Sequence, residues 1–137
     1  MLNDPENTPP ALTARIMGEL ATTYILPSAV KYQNILIDNI KGLKEAGLKE
    51  SAYANQLEVL GAISDHIAVI SDSVKKMIEA RKVANELSSS RDKAIAYCDK
   101  IKGEYFDLIR YHVDKLELVV DDAHWVLPKY REILFLR

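Results

Sequence analysis

A chain of 137 residues has room for one domain but not for two well-cored ones, and its 48% hydrophobic and 28% charged residues are those of a folded globular protein. Its 18 basic and 20 acidic residues leave a net charge of −2, which excludes the basic excess expected of a nucleic-acid binder or of a protein held on an anionic membrane. One cysteine, Cys98, excludes an intramolecular disulfide and a Cys/His zinc framework. The polar opening MLNDPENTPP lacks the apolar core of a signal peptide, and no run reaches the roughly 20 apolar residues of a membrane span, so the sequence reads as cytoplasmic.

With only five Gly and five Pro, long stretches carry no breaker, which favours long helices over a sheet. Residues 1–8 read as a lead-in. Thr8 followed by Pro9 and Pro10 is a helix start, because proline is tolerated where the backbone N–H would be orphaned. A first helix is predicted over about 9–46. Its apolar stripe runs through Leu12, Ile16, Leu20, Tyr24, Leu26, Ala29, Leu36, Ile40 and Leu43, and Val30 and Ile37 widen it. Pro27 removes one backbone bond and crowds the carbonyl four residues back, so a kink is expected there. Gly47 is the stop signal.

The second helix is predicted over about 50–87. Leu60, Ile63, Ile67, Ile70, Val74, Met77, Arg81 and Ala84 alternate at spacings of three and four, the pattern of packing along a seam. Ser88, Ser89 and Ser90 form the turn, one of them capping the next helix. The third helix is predicted over about 91–121, with Ile95, Phe106, Ile109, Val113, Leu116 and Val120 as one stripe and Ile101, Tyr105 and Leu108 beside it. Gly103 weakens its interior by about 1 kcal/mol relative to Ala. Pro128 starts a short terminal helix over about 128–136. The fold class is therefore all-α: an elongated antiparallel three-helix bundle in one domain, each rod about 45–55 Å long, closed by a short C-terminal helix.

No catalytic centre emerges. His66 and His112 have no metal-ligating residue three or four positions away on their own helices, and His124 has only Asp121, so all three read as structural. Cys98 has Ala94, Ile95 and Ile101 at helical spacing and reads as a buried, inert thiol. Asp121 and Asp122 point about 100° apart on a helix and share no reaction centre. The catalytic, cofactor-binding and metal sets are therefore empty. Trp125, Tyr130, Phe135 and Leu136 crowd the last residues, where a free tail is normally polar, and are candidate anchors that fold back on the bundle or dock on another subunit.

The strings YILPSAVKYQN (24–34), NIKGLKEAG (39–47), IEARKVAN (78–85), AIAYCDKIKGEYFDLIRYHVDKLELVVDD (94–122) and LPKYREILF (127–135) follow one another over most of the chain. Together they resemble the C-terminal region of type III glutamine synthetases, with one departure: Val126 follows Trp125 where the family has Pro. The resemblance implies a parent enzyme that ligates ammonia to glutamate with ATP and divalent metal ions bound in other domains. It implies that this chain is a non-catalytic structural, oligomerisation or regulatory domain. Its partners would be the catalytic domains of the same enzyme and the other subunits of a homo-oligomer. The competing expectation is a stand-alone helical adaptor that takes a partner helix in an apolar groove.

Overall fold

The computed structural model describes residues 9–120. They form an all-α structure of three rods. The first rod joins α1 (Pro9–Leu20), a π-helical segment π1 (Ala21–Ile25) and α2 (Leu26–Glu45). A 3₁₀ turn (Glu50–Ala52) leads into the second rod, α3 (Ala54–Asn85), an unbroken helix of 32 residues. The third rod joins α4 (Ser90–Ala96), a second π segment π2 (Tyr97–Phe106) and α5 (Asp107–Val119). The short terminal helix predicted over 128–136 lies outside the described residues, as do the candidate anchors Trp125, Tyr130, Phe135 and Leu136.

The turns have local causes. Gly47 takes φ 84°, a conformation that costs a residue without Cβ nothing. Its N–H donates to the Lys44 carbonyl at 3.0 Å and the Leu48 N–H to the Leu43 carbonyl at 3.1 Å, the paired bonds of a Schellman stop. The Lys44 ammonium lies 5.5 Å from the centre of the Tyr53 ring and ties the two sides of this turn together. At the other turn the Ser89 hydroxyl accepts from the Asp92 N–H at 3.3 Å and caps α4.

Cross-links set the directions. Gln33 donates to Ser64 at 2.7 Å and Gln56 to Asn39 at 3.0 Å, so α2 and α3 run antiparallel. Tyr97 donates to Asn85 at 2.7 Å, and His66 meets His112 at 2.8 Å, so α3 and the third rod are antiparallel too. The first and third rods are therefore parallel, and α1 packs against π2.

The core runs along all three rods. Ile63, Ile70, Val74, Met77 and Ala84 supply it from α3, Tyr97, Ile101, Ile109, Val113, Leu116 and Val120 from the third rod. The first rod departs from the size-based stripe. Leu12, Ile16 and Tyr24 are 39%, 55% and 50% exposed, and Val30 and Ile37 also face outward; in the third rod Leu108, expected beside the stripe, faces outward too. Ala29, Leu36 and Ile40 of the stripe are buried, and so are Ala14, Ala21 and Ile25, which lie outside it. A Cβ added at Gly18 would stand 3.3 Å from Met77 Cε, so α1 approaches its neighbours too closely for large side chains. Small residues line the contact and the larger ones are turned away.

Pro27 sits second in α2, directly after π1. A π turn moves the preceding carbonyls off the α-helical line, and so gives the proline ring room that a regular helix denies it. In the third rod the irregularity shifts the buried stripe. Ile109 and Cys98 are eleven residues apart, about three turns of a regular helix, and would share a face. π2 takes up one extra residue, so Tyr97 and Ile101 turn inward, Cys98 is exposed and Ile95 is 47% exposed. The reading of Cys98 as a buried thiol, and of Ile95 as part of the stripe, is corrected by that one-residue slip.

Candidate functional site

The side chains that meet between α3 and the third rod form the most distinctive polar constellation among the described residues. At its middle, Nδ1 of His66 and Nδ1 of His112 are 2.8 Å apart, and the rings stand 5.1 Å apart at 54°. A hydrogen bond between two Nδ1 atoms requires opposite tautomers. One ring donates its Nδ1–H while the other accepts with its Nδ1 lone pair and carries its own proton on Nε2. Both rings are half-buried. The Tyr111 ring meets His112 edge-on at 5.1 Å, and the Lys115 ammonium lies 5.3 Å from the Tyr111 ring centre. Burial, and then the charge of His66, hold the His112 imidazole below the usual histidine range.

Towards the Asn85 end the interface is closed by Tyr97. Its ring is 1% exposed and its hydroxyl reaches Asn85 Oδ1, so a large aromatic side chain is buried without stranding its polar tip. Between these two points the rods part into an outward-facing groove of about 380 Å³, with Ala80, Val83, Leu87 and Tyr105 among its walls and Lys75 and Lys100 at its rim. A second hollow of about 340 Å³ shares Lys76 and Tyr105 with it and extends towards Ala68 and Leu108. Asp72 accepts a hydrogen bond from Lys76 at 3.0 Å. That bond and the carboxylate charge hold the Lys76 ammonium above the ordinary lysine range.

The arrangement can exchange a proton between two imidazoles and can receive an apolar surface. Among the described residues no group of three or more His, Cys, Asp or Glu side chains could hold a metal ion. No described helix is long and apolar enough to cross a membrane. Neither His66 nor His112 has a ligating partner on its own helix. The partner stands 46 residues away on another rod, and helical spacing carries no signal for it.

No family model matches the chain. It is similar to a glutamine synthetase of Bacteroides fragilis (strain YCH46), 41% identical over 128 residues that make up 90% of this chain and 17% of that protein. It is also similar to a type-3 glutamine synthetase of Dictyostelium discoideum, 22% identical over 129 residues, 92% of this chain and again 17% of the relative. The chain thus spans about a sixth of the length of these curated relatives, and the resemblance carried by YILPSAVKYQN and the long run 94–122 is a likeness to glutamine synthetases along almost the whole chain.

Proposed function

We propose that this chain is a non-catalytic structural and assembly segment of a type III glutamine synthetase, placed on the C-terminal side of that enzyme. The observation that carries the reading is the match itself: nine tenths of the chain aligns, at 41% identity, with only 17% of a glutamine synthetase. In this reading the ligation of ammonia to glutamate, with ATP and a divalent metal, belongs to the remaining domains. The described residues do not fit a metal site, so no step of that chemistry is assigned to them.

The outward-facing apolar residues support an assembly role. Ile16, Val83 and Leu118 are 55%, 62% and 78% exposed, and the groove beside Val83 and Leu87 offers a concave apolar surface. Contacts with the catalytic domains or with other subunits would remove such surface from water at about 25 cal/mol per Å². The assembled enzyme would be a cytoplasmic homo-oligomer.

The test is deletion of the segment corresponding to 9–120 from a full-length synthetase. Light scattering would read the assembly mass and glutamine formation the activity. Dissociation to smaller species with a parallel fall in activity is expected. A deletion variant that keeps both its mass and its turnover would overturn the reading.

A further inference from the structure

We propose that the His66–His112 pair is a proton-operated latch between α3 and α5, closed while the pair holds at most one proton beyond its neutral state and opened by the second. The argument starts from the 2.8 Å separation of the two Nδ1 atoms. In the neutral pair one Nδ1–H is donated to one lone pair. Adding a proton to the donor ring at its Nε2 leaves that bond in place and makes it charge-assisted. A second proton has only the accepting Nδ1 to go to. Both facing nitrogens then carry N–H groups and both rings are cationic, so the contact turns from attraction to repulsion.

The surroundings do little to relieve this. Asp65 precedes His66 on α3 and is exposed. α5 carries Tyr111 against His112, with Lys115 over that tyrosine and Arg110 paired to Asp114 at 3.9 Å. From α2, Lys31 and Tyr32 lie at the same level, as the neighbouring Gln33–Ser64 bond shows. Among the described residues, burial and then His66 are what act on His112.

The sign of the linkage follows. A histidine with a lowered pKa in the folded state takes its proton more readily when unfolded. Its contribution to stability is complete above the unfolded value, near 6.5, and is lost as the pH falls through that value towards the lower folded one. Acidification should loosen the α3–α5 contact first. The α2–α3 contact, held at this level by the neutral side chains Gln33 and Ser64, should respond less.

The experiment compares the 137-residue chain with His66→Asn, His112→Asn and the double variant. Thermal midpoints and amide hydrogen exchange, corrected for its intrinsic pH dependence, are followed from about pH 8 to about pH 5. Nitrogen-15 spectra of the imidazoles are recorded over the same range. In the wild type the midpoint should fall across this range, protection over Asp107–Val119 should drop before that of Leu26–Glu45, and His112 should titrate below the ordinary range. In the double variant the fall in midpoint should be much smaller. If a variant is too unstable to compare, the imidazole spectra and exchange of the wild type still decide. Independent titration of both rings near 6.5, or parallel loss of protection in α2 and α5, would overturn the latch.

Discussion

The second and third rods are built from similar material and obey different arithmetic. In α3 the apolar residues keep regular helical spacing from Leu60 to Ala84, and the residues that this spacing selects, Ile63, Ile70, Val74 and Met77, are the buried ones. In the third rod the same spacing selects Cys98 and Ile95, and the structure buries Tyr97 in their place, with Ile101 inward as expected. The difference is one residue accommodated in π2. A hydrophobic pattern fixes which face is buried only while the turn stays at 3.6 residues, and a single π insertion changes the phase of everything on its far side.

Deletions should expose this contrast most strongly. Removing Asp72 from α3 rotates every later residue of the helix by about 100° and takes Val74, Met77 and Ala84 off the core, a loss of about 5 kcal/mol or more that ends cooperative unfolding. Removing the exposed Gly103 should instead let π2 close into a regular helix with α4 and α5 still in phase. A change within about 1 kcal/mol is expected. Urea unfolding followed by circular dichroism checks both. If the Gly103 deletion proves as damaging as that of Asp72, the one-residue slip is the wrong description of the third rod.

Truncations give the next largest effect. Met77→Ala should cost about 2–5 kcal/mol because the side chain is 1% exposed against the close approach of α1. Ile95→Ala, which a regular-helix reading would class as equally severe, should cost less than half as much, since Ile95 is 47% exposed. A smaller pair sharpens the point at adjacent positions. Tyr97→Phe loses the bond to Asn85, about 1 kcal/mol, while Cys98→Ala should stay within about 0.5 kcal/mol. Calorimetric midpoints at neutral pH read both comparisons.

Against this background, what the sequence disclosed is clear. The all-α class, the seam along α3 and the glycine signal at 47 rest on local rules of periodicity and turn chemistry, and those rules suffice where the helix is regular. The close-packed side of the first rod is lined by the small residues Ala14, Gly18 and Ala21, which a stripe of large apolar residues passes over. The slip in the third rod had a weak cue at most. The His66–His112 contact had none, because nothing on one helix indicates which residue of another will stand opposite it.

The number of rods has a further consequence. With three passes, an odd count, the chain comes in at Pro9 on one end of the bundle and reaches Val120 at the other. A two- or four-pass bundle would return it to where it began. At 1.5 Å per residue the 32 residues of α3 measure about 48 Å. Among the described residues, Pro9 and Val120 therefore stand at opposite ends of the bundle, nearly that far apart. Of the three described rods, α3 is the one with no interruption along that length.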